Sequence, residues 1–369
     1  MNLRRTKMML AVFLAAAAVW LCFPLSTLAA TSNPSPVNAS DFIKGLNLVG
    51  DLQLRYEYID LDASGDETDN RMRVRFRLGM NWDNPDENWK IAAGFTTGGS
   101  DANSVHSTYS NEKVFETGDI RLDYAYAEHQ INNFRFLAGQ QKNPYVTSWA
   151  LWDSDVRPAG LTAVMDMKPF FLTAGVYQAR YVDKDIAFME AVQAGVENDM
   201  LTAALGFYNY NRLDKYVVTD IMDDDYTYQI LDLYVAGNID AGTVGLTPYV
   251  QAFYNFGAEG EEGQSIAGSD LDPEDENAGY VIGVDAKIDR FKMGAAWAQI
   301  GADSVMRELK DSSFGNGLGS TDTEGFKLNL GYALTRHFSV TCTAYLYEAK
   351  ERDLDQDAQL YQLDLDYKF

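Results

Sequence analysis

Arg71-Met72-Arg73-Val74-Arg75-Phe76-Arg77-Leu78 alternates a guanidinium with an apolar side chain at every step. Successive side chains of a strand point to opposite faces. Read as a strand, the octapeptide has four arginines on one face and Met72, Val74, Phe76 and Leu78 on the other. A soluble core would not accept the arginine face, since four guanidinium groups are too costly to bury together. A membrane-spanning barrel accepts both faces, with the apolar side chains against lipid and the arginines in a wet lumen. The preceding stretch behaves alike. Leu48, Leu52, Leu54, Tyr56 and Tyr58 share one face, and Asp51, Gln53, Arg55 and Glu57 share the other.

The same period of two recurs along the chain. It predicts strands near 46–58, 69–81, 89–97, 119–129, 134–140, 159–167, 170–181, 188–197, 201–210, 227–237, 244–255, 278–288, 291–301, 322–333, 337–347 and 358–369. Seven connections are tight turns, such as Ile131-Asn132-Asn133, Lys168-Pro169, Asn198-Asp199-Met200 and Ile288-Asp289-Arg290. The other eight are mostly longer, polar and rich in Gly, Asp and Ser, as in 98–118, 211–226, 256–277 and 302–321. Short turns at one end and long loops at the other mark an outer-membrane barrel, and an even strand number closes an antiparallel sheet. A soluble β-sandwich has shorter strands and lacks this asymmetry. The expected fold is therefore all-β, a transmembrane antiparallel barrel of about sixteen strands.

The ends agree with that fold. Arg4, Arg5 and Lys7 precede an apolar stretch from Met8 to about Phe23, and Ala29 and Ala30 follow, so residues 1–30 read as a secretory signal peptide. Residues 31–44 read as a short periplasmic lead-in and 45–369 as the barrel. Cys22 would leave with the leader, and the remaining Cys342 cannot close an intrachain disulfide. From Tyr361 to Phe369 every odd position is apolar or aromatic and every even position is polar. With Tyr367 and the terminal Phe369, this strand resembles the C-terminal signature of outer-membrane proteins that the barrel-assembly machinery reads.

Composition excludes several classes. The net charge is −24, and loss of a leader carrying three basic and no acidic residues takes it to −27. Such a chain is not built for nucleic acid. Tyrosine and phenylalanine number 22 and 19, too many for a disordered acidic segment. After residue 30 no apolar run approaches the length of a transmembrane helix. His106, His129 and His337 lie far apart, and none has a serine in a recognisable nucleophile motif. We expect no enzyme, no cofactor and no metal centre.

A barrel of about sixteen strands is wide enough for an aqueous channel, whereas about eight strands are filled by their own side chains. Something must narrow it if it is to sieve. Residues 141–158 (QKNPYVTSWALWDSDVRP) are apolar in the middle and free of glycine. Val146, Trp149, Leu151 and Trp152 call for burial, which the inner wall would supply, and Asp153 and Asp155 would then project into the lumen. Arg71, Arg73, Arg75 and Arg77, joined by Lys90, Arg121 and Arg135, would form a basic wall facing these acids. A transverse field of that kind orients dipolar solutes and disfavours apolar ones. Alternatively, the arginines pair with Asp51, Glu57 and Asp123 on adjacent strands and only neutralise the lumen. The acidic stretches Asp223-Asp224-Asp225 and Asp270 to Glu276 fall in outer loops. They could hold divalent cations against lipopolysaccharide, but they lack the spacing of a calcium loop, which favours plain solvated loops.

The ladder, the inward third loop and the terminal Phe369 resemble general bacterial porins. The wording of Asp51–Tyr58, Asn70–Leu78 and Gly139–Gly160 is similar to the "putative porin" family of Gram-negative bacteria. Some members carry a coiled-coil segment before the barrel, for which the residues preceding this barrel are too few. The resemblance implies a homotrimeric passive diffusion channel for small hydrophilic solutes in the outer membrane, in contact with lipid and lipopolysaccharide. A substrate-selective channel for anions or organic acids, and a purely structural or adhesive barrel, are the competing expectations.

Overall fold

The computed structural model describes residues 44–61, 67–84, 87–110, 113–182, 185–210, 226–267, 271–318, 321–351 and 357–369. The expected leader, nearly all of the lead-in, Asp223-Asp224-Asp225 and Asp270 lie outside them. Eighteen paired segments form one antiparallel sheet. Two of these, Ser107–Thr108 and Ile239–Asp240, are two residues long. The other sixteen are the staves of a barrel: β1 Leu46–Leu61, β2 Glu67–Asn84, β3 Trp89–Thr97, β4 Ile120–Ile131, β5 Phe134–Gln140, β6 Ala159–Met167, β7 Phe170–Val182, β8 Asp185–Glu197, β9 Leu201–Tyr210, β10 Tyr228–Gly237, β11 Val244–Asn255, β12 Ala278–Ile288, β13 Phe291–Ile300, β14 Thr323–Ala333, β15 Phe338–Ala349 and β16 Asp357–Lys368. Each stave pairs with its neighbours in sequence, and β1 pairs with both β2 and β16, which closes the sheet.

Closure leaves no exposed sheet edge, so strand backbone groups are satisfied without water, as hydrocarbon demands. The outward rows carry the apolar side chains. Leu52, Tyr56, Met72, Phe76 and Met80 are exposed on β1 and β2, as are Phe326, Leu328, Leu330 and Tyr332 on β14. The seam between the first and last staves is stitched on its inner side. Arg55 donates to both carboxylate oxygens of Asp364 at 2.6 and 2.9 Å, Gln53 to Asp366 at 2.8 Å, and Gln362 to Glu57 at 3.0 Å. The polar halves of these two alternating patterns are thus cross-strand partners. The last residue joins the same seam: Phe369 and Gly50 exchange backbone hydrogen bonds at 3.0 and 3.1 Å. Gly50 has no side chain because a Cβ there would lie 2.4 Å from the Phe369 ring.

The register breaks between Gly94 and Phe95, opposite β4. A bulge turns two consecutive residues to one side. Here it buries both Asp123 and Tyr124, and the Tyr124 ring lies over Gly79 and Gly94. That irregularity delivers an acid to the inner wall beside the arginines of β2.

Candidate functional site in the barrel lumen

Residues 141–158 fold inside the barrel. Two side chains shape the segment locally: Asn143 Oδ1 accepts from the Tyr145 amide at 2.9 Å, and Asp153 Oδ1 from the Asp155 amide at 2.7 Å. Its apolar middle is buried, with Ala150, Leu151 and Trp152 nearly inaccessible. Tyr145 packs edge-on against Tyr177 of β7 and Tyr208 of β9. Gln193 of β8 makes a two-way clasp with the Val146 backbone, at 2.8 Å in each direction, and Gln251 of β11 accepts from the Ser148 amide at 2.8 Å. Buried glutamines that satisfy loop backbone allow a loop to leave water, since its amides would otherwise be orphaned.

The β2 arginines line the opposite wall, each with an acid. Arg71 donates to Glu57 at 2.5 Å, and Arg73 lies 3.3 Å from the same carboxylate and donates to Ser104 at 3.0 Å. Arg75 pairs with Asp51 at 2.8 Å. Arg77 reaches across to the loop and meets Asp155 at 2.5 Å, with Asp123 at 3.7 Å. Arg157 pairs with Asp123 at 2.9 Å. Both geometries foreseen from sequence therefore occur. Arg77 and Asp155 meet across loop and wall, whereas Arg71, Arg73 and Arg75 are neutralised by β1. Arg121 is occupied by the carbonyls of Gly99, Asp101 and Ser104. Lys90 and Arg135 sit toward the short-turn end, in register with Glu128 and Gln130 of β4, and are not brought to the loop.

Asp153 does not project freely into the lumen. Its amide donates at 2.6 Å to the carbonyl of Leu309, in a second inward segment, residues 301–318, between β13 and β14. Sequence inspection placed this segment among the polar outer loops. Its Val305 and Phe314 are fully buried, and the Phe314 ring packs at a tilt with its centroid 5.0 Å from that of Trp149. The Asp311 amide donates to the carbonyl of Trp149 at 2.9 Å, and its carboxylate receives Lys327 of β14 at 2.6 Å and Tyr345 of β15 at 3.1 Å. Asn103, in the loop after β3, donates to the Lys310 carbonyl at 2.8 Å and accepts from Ser312 at 3.2 Å. Three outer loops thus meet inside the lumen. Burial, with the charges of Asp311 and Asp155, pushes the Asp153 carboxyl up to about 8. Asp311 is buried too, yet Lys327 outweighs burial and brings it down to about 2. Lys310, buried and held by the carbonyls of Asp311 and Phe314, is lowered to about 8. His106 hydrogen-bonds Gln53 at 2.5 Å, and burial beside Arg55 and Arg73 drives its pKa far down, so it stands neutral and tied to the wall. Among the described residues no group of three or more His, Cys, Asp or Glu is arranged to hold a metal ion.

These features define a class, the wide outer-membrane β-barrel with loops folded into its lumen. Residues 60–216 match the model of the family described as "Putative porin". The fold is shared with solved porins. The high-pH structure of Pseudomonas putida OprB superposes with a TM-score of 0.61 at 12% identity, over 89% of this chain and 95% of that one. A triple mutant of the Rhodopseudomonas blastica porin gives a TM-score of 0.51 at 10% identity, over 88% of this chain and all of the other. A search of curated proteins finds no match. The family match, over less than half of the chain, and the shared fold together mark a porin-like barrel.

Proposed function

We propose that the barrel passes small hydrophilic solutes and ions by diffusion through an eyelet bounded by residues 141–158, the Asp155–Arg77 contact and the β2 arginines. The observation that carries this is a loop from the outer rim, buried by its aromatic side chains against β7 to β11, with an acid aimed at the far wall. Arg71 and Arg73 share Glu57 and Arg75 takes Asp51, and this partial neutralisation favours a size sieve over a ladder that conveys anions. Single-channel recording in a planar bilayer tests it. Stepwise conductance is expected, with a reversal potential in asymmetric salt that moves toward cations in Arg73→Ala/Arg75→Ala, because the lumen loses two positive charges and Asp51 loses its partner. No conductance steps would leave a structural barrel. A cationic reversal potential untouched by the double variant would remove the arginine wall from the mechanism.

The same proposal includes a cleaved leader over 1–30, insertion by the barrel-assembly machinery reading Tyr367 and Phe369, and a homotrimer surrounded by lipid and lipopolysaccharide. The exposed Tyr367 and Phe369 rings, 6.4 Å apart at the short-turn end, support the second point. N-terminal sequencing and cross-linking of the native protein test the others.

A further inference from the structure

On the lumen wall, several basic side chains come with carboxylates even where two of them collide. Arg55 and Arg73 are direct register partners on β1 and β2, and Glu57 lies 3.6 and 3.3 Å from them. Lys327 has Asp311, and Lys350 has Glu276 at 2.7 Å. At the short-turn ends of β12 and β13 two basic side chains meet without one. Lys287 and Lys292 are direct register partners. Both belong to the inward rows, since the alternate residues Ile282 and Val284 on β12 and Phe291 on β13 are exposed to lipid. Among the described residues neither lysine has a carboxylate oxygen within 4.0 Å. Like charges directly opposite on paired strands repel. In a chain with 54 acidic residues, an acid was available to relieve them.

The neighbouring strands leave this pair room. Gly245 of β11 is the register partner of Lys287, and Gly331 of β14 that of Lys292. A Cβ at Gly245 would meet nothing within 4 Å, and one at Gly331 nothing nearer than 3.3 Å, where it finds the Thr341 hydroxyl. The row Gly245–Lys287–Lys292–Gly331 is therefore two ammonium groups in a trough without flanking side chains. It opens into a cavity of about 840 Å³ that Arg290 and Lys368 also line. Asp199, Asp240, Asp285 and Asp366 share that cavity, so only a compact, multiply charged anion that engages both lysines at once would compete with them.

We propose that Lys287 and Lys292, aided by Arg290, bind small polyvalent oxyanions, phosphate or a dicarboxylate, at the periplasmic mouth of the lumen. The site rests on the channel proposal only for its role as a station on a solute path; binding itself needs the vestibule alone. Two measurements on the full-length protein separate these. Phosphorus NMR of inorganic phosphate with the detergent-solubilised barrel reads binding. Single-channel current at fixed KCl, with phosphate or succinate added on the short-turn side, reads block. Lys287→Gln/Lys292→Gln is expected to weaken both by about tenfold, the scale of two partly exposed charges acting on one dianion. Gly331→Leu fills the trough without changing charge and is expected to do the same. Phosphate broadening identical in all three proteins overturns the site, as does broadening no greater than that from a barrel lacking the pair. Lysine-dependent broadening with no conductance keeps the site and rejects the channel. Weakening for phosphate but not succinate makes the ligand a phosphate, and the reverse makes it a dicarboxylate.

Discussion

At the scale of single residues, Arg77 and Asp153 separate anchoring from tuning. Arg77 holds Asp155 and lies within reach of Asp123, so one guanidinium ties loop to wall. Arg77→Ala leaves the largely buried Asp155 without its partner, while Asp123 keeps Arg157; breaking such a pair costs about 3 kcal/mol. The loss is expected in the loop, as larger and noisier single-channel current, with little change in the barrel's melting temperature. Asp153 responds to pH. Its folded carboxyl, at about 8, lies above the ordinary value of about 4, so the native loop prefers it protonated. The unfolded or detached loop binds fewer protons across that interval. The junction is therefore firm at low pH and weakens as pH rises from about 4 to 8. Current variance should increase over that range in the wild type and stay flat in Asp153→Asn; an identical profile in both would exclude Asp153 as the cause. Neither residue's partner was readable in advance. Asp155 was singled out as a lumen acid, but its meeting with Arg77 depends on a loop path that residue order does not specify.

At the scale of elements, the strands were legible almost to the residue because lipid and lumen impose opposite demands at a period of two. The spans 89–97, 134–140, 159–167, 201–210, 244–255 and 278–288 coincide with β3, β5, β6, β9, β11 and β12. The inward course of 141–158 was legible for a related reason, since two tryptophans in a loop need cover. The second inward segment was missed because its few apolar residues, among them Val305, Leu309 and Phe314, are diluted by Asp, Ser and Gly. Its burial depends on partners that alternation cannot reveal, such as Lys327 reaching Asp311. The bulge at Gly94 was equally silent, being a local count of two against one. Phe314→Ala removes the ring that packs on Trp149 and Tyr347, a loss of about 3 to 4 kcal/mol at a well-packed site. Limited proteolysis should then cut within 301–318 while the strands stay resistant. Unchanged cleavage would mean that Asp311 and Lys310 hold the segment without the ring.

At the scale of the whole molecule, stability depends on a closed cylinder, and the seam is where a cylinder opens. Arg55→Ala strips Asp364 of its two-pronged partner on the inner side of that seam. Folded barrels of this kind resist detergent, so semi-native electrophoresis at rising temperature measures the effect. The folded band of Arg55→Ala should disappear at a lower temperature than that of the wild type, and Arg55→Lys should fall between them. Equal temperatures would show that backbone pairing alone holds the seam. The barrel class was legible because the alternation of one octapeptide recurs along the chain with short and long connections in turn, whereas the lumen's contents were not, because they come from segments far apart in sequence.

The seam also sets an order of events. Glu57, near the start of the barrel, accepts from Gln362, which donates in turn to Ser313 of the second inward segment. Nothing in the first half of the chain can finish this arrangement alone. A nascent chain therefore carries a first strand with one open edge until its final stave is made. For this protein the last dozen residues act as a clasp, and synthesis halted just before them leaves a sheet with two open margins.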